Sequence, residues 1–306
     1  MNNLPEFKEI ELQDKEWADP LLAISDYRAT EYCFTTLYIW ANLFGTRIAR
    51  WKNWLLIRSD GEDGYANYIF PAGDGDVREI LEVMEADAAA MGRKATVWTI
   101  PDTKKLVEEA CPGQYSFTPV RKSFDYIYET DKLMSLAGKK YQPKRNFISR
   151  FKTLFPDWEY ERIDYSDPRL CARQIRECSV MTDEWCAMNG CTQNESMQME
   201  ACAVRRALDN FTHLQLKGGI LRASGKIVAY TLGEQLNSDT FIVHVEKAFS
   251  SVTGAYPMIN QSFLQHEAIG LQYVDREDDA GDEGLRKAKL SYHPAYMLEK
   301  YLAVRG

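Results

Sequence analysis

The sequence predicts an α+β protein built as two tandem units, each a mixed, mainly antiparallel sheet flanked by helices. Three observations carry this. Short β-branched and aromatic runs separated by turn residues occur twice, at 46–73 and 213–249. Each set is preceded by helical periodicity and followed by a helix and another strand. The length, 306 residues, fits two ordinary domains better than one. The division is expected at 155/156, giving units 1–155 and 156–306, with a basic helix 139–155 closing the first. The repeat is one of element order, since little sequence identity links the halves.

In the first half, residues 4–30 read as an edge segment and a short polar helix, with Asp19-Pro20 as its start signal. EYCFTTLYIWANLFG follows as an aromatic helix ended by Gly45. Phe34, Leu37, Tyr38 and Trp40 share one face there, which is core packing on the plain reading and ligand stacking on the alternative. TRIARWK, WLLIRSD and YANYIFPAG form a meander, turned at Lys52-Asn53 and at Gly61-Glu62-Asp63-Gly64. An amphipathic helix with Val77, Ile80, Leu81, Met84 and Ala88 inward comes next. TVWTIP, KKLVEEAC, YSFTPV and KSFDYIYET then give a strand, a helix and two strands.

Residues 131–155 differ in charge. Lys139, Lys140, Lys144, Arg145, Arg150 and Lys152 lie among Tyr141, Phe147 and Phe151 in an otherwise acidic chain. Phe147, Ile148, Phe151 and Phe155 have the spacing of a buried helical stripe, which makes the charges a solvated face. The other reading is a patch that meets phosphate or RNA backbone.

The second half repeats the pattern. PDWEYERID is a strand, and PRLCARQIRECSVMTDEWC a long helix with Leu170, Ile175 and Cys178 inward. ESMQMEACAVRRALDNF is a second helix that starts near Glu195 and Ser196. Three strands follow, turned at Ser224-Gly225-Lys226 and Asn237-Ser238-Asp239. The third, FIVHVEKAF, leads through a glycine turn to a helix with Pro257 near its start. QYVDREDD then forms a short strand that ends in charge, followed by the helix containing LRKAKL.

A net charge of −8 argues against a uniformly basic nucleic-acid surface but leaves room for a local basic groove. Seven cysteines without a CxxC pair fit reduced thiols and a cytoplasmic setting. No leader pattern and no apolar run near the ~20 residues of a membrane span is present. Four scattered histidines predict no metal site, and no GxSxG, Walker or Rossmann pattern occurs. The oligomeric state is not legible.

This element order resembles the GNAT N-acetyltransferase fold in tandem, as in dual-GNAT aminoacyltransferases. The runs LAGKKYQPKRNFISRF, HVEKA, GAYPMINQSF and YVDREDDAGDEGLRKAKLSYHP resemble the DUF2156 family more closely. EYCFTTLYIWAN and YIFPAG extend that resemblance through the N-terminal half, and the family is grouped with the C-terminal domain of phosphatidylglycerol lysyltransferases. The resemblance implies acyl transfer from a large activated donor, aminoacyl-tRNA or acyl-CoA, to an amine or hydroxyl on a small molecule or lipid headgroup. This sequence carries no polytopic membrane half, so a lipid would be met peripherally. No cofactor is certain. A non-catalytic binding protein and an acetyl-CoA-dependent acetyltransferase are the alternatives.

Within that frame the C-terminal unit carries the site. Glu246, at the end of the strand that should splay, is the candidate general base, and Tyr292 the candidate proton donor to a leaving group. His244 shares the face of Glu246, and a satisfied core histidine is its plainer reading. Arg276, Glu277, Asp279, Arg286, Lys289, Tyr256 and Asn260 are candidate substrate contacts. Arginine is suited to a carboxylate or phosphate and the acids to an ammonium, with an internal salt-bridge network as the alternative. Thr253 and Gly254 lie in the donor-loop position, followed by Ala255, with no basic residue at the turn's start. The turn reads equally as a phosphate nest or as a plain turn leading into the helix. Lys139, Lys144 and Arg145 complete the candidate donor contacts.

Overall fold

The computed structural model describes residues 4–61 and 64–306. The turn expected at Gly61-Glu62-Asp63-Gly64 therefore lies partly outside the described residues. In chain order the elements are β1 (Lys8–Glu9), α1 (Lys15–Ser25), α2 (Phe34–Phe44), β2 (Arg47–Trp51), β3 (Trp54–Asp60), β4 (Tyr65–Gly73) and α3 (Val77–Ala90). Then come β5 (Lys94–Thr99), α4 (Pro101–Ala110), β6 (Tyr115–Pro119), β7 (Asp125–Glu129), α5 (Thr130–Ser135) and α6 (Gln142–Leu154). The second half has β8 (Glu159–Arg162), α7 (Pro168–Asn189), α8 (Glu195–Asp209), α9 (Phe211–Leu214), β9 (Lys217–Ala223), β10 (Lys226–Gln235) and β11 (Thr240–Ala248). It ends with α10 (Ala255–Glu267), β12 (Tyr273–Asp275), α11 (Glu283–Leu290), β13 (Tyr296–Leu298) and β14 (Tyr301–Arg305). The α+β architecture of two mixed sheets flanked by helices is as the sequence predicts.

The compact units are not two contiguous halves. One comprises Met1–Tyr126, Asp278–Arg286 and Met297–Gly306; the other comprises Ile127–Glu277 and Lys287–Tyr296. The basic helix α6, expected in the N-terminal unit, falls in the second. The sequence pattern hid this because β14 lies beyond the last element that periodicity marks.

In the first unit the strand order is β1-β2-β3-β4-β5-β14-β6. Its parallel pair is β4–β5, and β14 is antiparallel to both β5 and β6. Trp54, Leu56, Tyr68 and Phe70 pack against Ile80, Leu81, Met84 and Ala88 of α3, with Val97 and Ala303 in the same core. Helix α1 starts at Lys15, not at Asp19-Pro20, so Pro20 lies inside it. Gly45 ends α2 in the left-handed region, as expected.

The charge at the base of this unit is tightly paired. Lys300, 2 % exposed, donates to Glu31 at 2.7 Å and to buried Asp125 at 2.9 Å. Thr30 N–H donates to the other Asp125 oxygen at 3.1 Å.

The second sheet runs β13-β7-β12-β11-β10-β9-β8. The β9–β10 hairpin turns at Ser224 (φ 51°) and Gly225 (φ 71°), the twist that a two-residue hairpin needs. Helix α7 presents Cys171, Gln174, Cys178, Met181 and Thr182 inward. Leu170 and Ile175, expected inward, are only partly covered. On α6, Ile148 and Phe151 are buried, whereas Phe147 is 49 % exposed and leaves the expected stripe. Met258 and Ile259 of α10 pack on Ile148, Phe151, Leu221 and Ala229.

The parallel pair of this sheet positions the site. β11 and β12 pair only over Thr240–Ile242 and Tyr273–Asp275. Beyond that register β11 continues to Ala248, paired with β10 alone. The strands part just before Glu246 and Arg276.

Lys300→Met should cost about 3–5 kcal/mol by urea unfolding at pH 7, because it leaves the Asp125 carboxylate buried without its cation. A loss under about 1 kcal/mol would show that the pair is not what anchors this part of the first unit.

Candidate active site where two parallel strands part

Glu246 stands four residues past the last β11–β12 pair, and Arg276 directly follows β12. Arg276 Nη2 donates to Glu246 Oε1 at 3.0 Å, so a side-chain ion pair spans the gap that backbone hydrogen bonds have left. Asn260 of α10, buried, donates from Nδ2 to Glu246 Oε2 at 2.7 Å. Both carboxylate oxygens are therefore occupied. Glu246 and Arg276 expose only 10 % and 11 % of their side chains.

Tyr292 closes the other side. Its ring centroid lies 4.7 Å from the Arg276 guanidinium and 3.7 Å from Lys144 Nζ, so one aromatic ring carries two cations. Burial pushes the Tyr292 hydroxyl above its ordinary range, against the pull of Arg276. It stays protonated at neutral pH. Lys144 donates to Ser291 Oγ at 2.7 Å. Burial, then the neighbouring Arg276, bring the Lys144 ammonium from 10.5 down to about 8, with Glu246 opposing.

The backbone of Arg276 is held as well. Lys289 Nζ donates to its carbonyl at 2.5 Å, and Tyr128 donates to the Lys289 carbonyl at 2.8 Å. Next to it, Glu277 has a positive φ of 57° and meets His244 Nδ1 at 3.1 Å. His244 Nε2 lies 3.0 Å from Glu234. The histidine side chain is wholly covered, with a carboxylate at each ring nitrogen. This is the satisfied core group, and it tethers the segment that carries Arg276.

Six residues singled out in the sequence thus meet here: Glu246, Asn260, Arg276, Lys289, Tyr292 and Lys144. Others go elsewhere. Asp279 and Arg286 belong to the first unit and pair with each other at 2.9 and 3.0 Å, with Arg121 and Tyr126 on the same carboxylate. Burial disfavours the Asp279 charge, but Arg286, Tyr126 and the Gly281 N–H outweigh it and hold the carboxyl well below the usual range. This is the internal network that was the alternative to ligand contact. Tyr256 packs against the core that Ile148, Phe151 and Met258 form. Arg145 donates to the carbonyls of Leu136 and Gly138 and so closes the loop before α6. Lys139 stays exposed.

The donor-loop position is crowded. A Cβ at Gly254 (φ 87°) would stand 2.3 Å from the Phe147 carbonyl, so α6 packs against this turn. In the first turn of α10, Ala255 N–H is bonded to the Val252 carbonyl, and Pro257 has no N–H. Little of a phosphate-binding helix start remains.

The sequence named Lys144 only as a donor contact, alongside Lys139 and Arg145. The signal was its spacing, because Lys144, Ile148 and Phe151 stand at i, i+4 and i+7 on one helix face. Tyr128 and Ser291 carried no signal.

The chain is thus an α+β protein of two mixed sheets flanked by helices, with a polar cluster where β11 and β12 part. The chain belongs to the family described as phosphatidylglycerol lysyltransferase, C-terminal, whose match spans residues 22–304. A conserved protein of unknown function from Bacteroides thetaiotaomicron VPI-5482 is 39% identical over 99% of this chain and 100% of its own, with a TM-score of 0.92. The C-terminal DUF2156 domain described as that of a lysylphosphatidylglycerol synthetase from Agrobacterium fabrum is 15% identical, covers 96% and 92% of the two chains, and has a TM-score of 0.69. L-PGS from Bacillus licheniformis is also 15% identical, covers 95% and 92%, and scores 0.67; these two likenesses speak to fold. An uncharacterized protein of Mycoplasmoides gallisepticum is 25% identical over 59% of this chain, and the match spans 56% of that relative's length. Among the described residues no helix is long and apolar enough to cross a membrane.

Asp279→Asn tests the structural role given to that carboxylate. A group whose folded pKa is depressed adds stability above its unfolded value, about 3.9, and loses it as pH falls towards the folded one. The variant should be about 2 kcal/mol less stable at pH 7, with the gap narrowing progressively below about pH 4. Denaturant unfolding at pH 7 and pH 3 measures both. An equal gap at the two pH values would contradict the assignment.

Proposed function

We propose that the protein is an aminoacyltransferase, moving an aminoacyl group from an aminoacyl-tRNA to an amine or hydroxyl acceptor at the Glu246–Arg276–Tyr292 centre. The observation that carries this is the buried ion pair spanning two parted parallel strands, in a chain of the lysyltransferase C-terminal family. In this reading the gap is where the acyl donor is bound. Arg276 Nη1 and Asn260 Oδ1 are buried without a hydrogen-bond partner, which leaves donor and acceptor capacity at the centre. In the reaction the acceptor attacks the ester carbonyl, Arg276 stabilises charge developing on the acyl oxygen, and Tyr292 gives its proton to the leaving oxygen. Glu246, with both oxygens engaged, orients Arg276 instead of acting as base.

The crowded turn at Gly254 disfavours acyl-CoA as donor, since the pyrophosphate would lack its backbone cradle. The exposed basic residues between 139 and 152 favour RNA. Lys139, Lys140, Arg150 and Lys152 are exposed and have no ion-pair partner among the described residues. A lipid headgroup or a small molecule would serve equally as acceptor.

Transfer from charged total tRNA to phosphatidylglycerol vesicles and to glycerol is the direct assay. Arg276→Lys should lower the rate about 100-fold or more, since a point charge cannot keep both the Glu246 bond and the second donor. Stabilisation by acetyl-CoA in a thermal-shift measurement, with none by charged tRNA, would overturn the donor assignment. Replacing Lys139, Lys140, Arg150 and Lys152 by Gln should weaken tRNA binding and flatten its salt slope by roughly 0.9 for each phosphate that is no longer neutralised. Unchanged binding would reject the RNA face.

A further inference from the structure

We propose that Lys144 is the proton acceptor of this centre, a neutral amine that takes the proton of the attacking group. The proposal rests on the acyl-transfer reading above.

The geometry limits what Lys144 does. Ser291 Oγ donates its own hydrogen to the Ala288 carbonyl at 2.6 Å, so toward Lys144 it only accepts. One Nζ–H is thereby fixed, and the remaining Nζ positions are left for other partners. The residue is partly exposed, within reach of an incoming group. It belongs to none of the ion pairs among the described residues. The carboxylate nearest in charge, Glu246, is already bound by Arg276 and Asn260. Lys144 and Arg276 thus share one tyrosine ring and one carboxylate, an excess of positive charge that loss of the Lys144 proton relieves.

The surrounding charges point the same way. From β11 comes Glu246, from the segment after β12 Arg276, and from the segment after α11 Tyr292, held protonated. On its own helix, Arg145 is turned to the 136 and 138 carbonyls. Lys289 is engaged with the Arg276 carbonyl, and His293 Nε2 with the carbonyl of Lys140. Glu246 and the face of the Tyr292 ring favour the charged amine, while burial and Arg276 oppose it and bring the balance down to about pH 8. Competing bases are spent: Glu246 is saturated, and His244 is covered and lies between two carboxylates.

The step balances. The acceptor's N–H or O–H proton moves to the Nζ lone pair as the new acyl bond forms. The ester C–O bond breaks, and the leaving oxygen takes the Tyr292 proton. The ammonium of Lys144 then returns its proton to the tyrosinate through solvent, which restores both groups. Nothing is oxidised or reduced.

The test uses the full chain and two readouts. Trace acetylation with acetic anhydride from pH 6 to 11, read peptide by peptide by mass spectrometry, should give Lys144 half-maximal reactivity near pH 8. Exposed Lys139 and Lys140, followed in the same digests, are the reference profiles. A Lys144 profile matching theirs overturns the proposal. In the transfer assay from charged tRNA to glycerol, Lys144→Arg keeps the positive charge but cannot accept a proton at pH 7.5. It should lose about 100-fold in rate with its tRNA affinity kept. Transfer within threefold of wild type overturns the proposal and makes Lys144 an anion contact. If the wild-type chain transfers from no charged tRNA, the reaction itself is wrong and this role falls with it. Wild-type transfer matched by Lys144→Arg is failure of this inference alone.

Discussion

The ion pair between Glu246 and Arg276 is the interaction on which the centre depends. Backbone pairing between β11 and β12 stops at Ile242 and Asp275, and this 3.0 Å contact takes over across the gap. A buried pair of this kind contributes little net stability over an apolar one, but removing either partner is costly. The gap therefore persists only while both charges are present. Asn260 from α10, together with Lys289, Tyr128 and the His244–Glu277 tether, fixes the pair from three directions. That much bracing for one guanidinium is more than the fold needs to hold a short strand in place.

The bracing separates roles among similar residues. Two carboxylates looked alike in the charge cluster after β12, yet their surroundings divide them. Asp279 is saturated by two arginines and a tyrosine in the first unit, whereas Glu277 holds a histidine beside Arg276 in the second. The basic residues between 139 and 152 divide likewise. Arg145 braces a loop, Lys139 stays in solvent, and Lys144 reaches the aromatic ring that Arg276 also uses. The proposed chemistry thus depends on a residue whose neighbours in sequence do unrelated work.

Local patterns made most elements legible. The β9–β10 hairpin at Ser224-Gly225, the Gly45 terminus and the amphipathic face of α3 follow from backbone and period alone. The placement of Glu246, Arg276 and Tyr292 near one another was legible through the order of strand, helix and strand. What local pattern cannot carry is pairing between distant segments. β14 completes a sheet begun some 200 positions earlier, and nothing in its five residues says so. The same limit placed α6 in the N-terminal unit and left Lys144 grouped with Lys139 and Arg145 as a donor contact, although its i, i+4, i+7 spacing with Ile148 and Phe151 was present. Asp279 stood open between ligand contact and internal salt bridge, because a charged residue at a strand end looks the same whether its partner is a ligand or a protein arginine.

Hydrogen–deuterium exchange with a non-hydrolysable 3′-aminoacylamino-adenosine, the terminal group of a charged tRNA, tests the central claim most directly. Slowed exchange in the first turns of α10, in residues 276–277 and in the segment around Tyr292 is the predicted result. No protection at these segments, or protection confined to residues 4–126, would contradict the assignment of the centre to the parted strands.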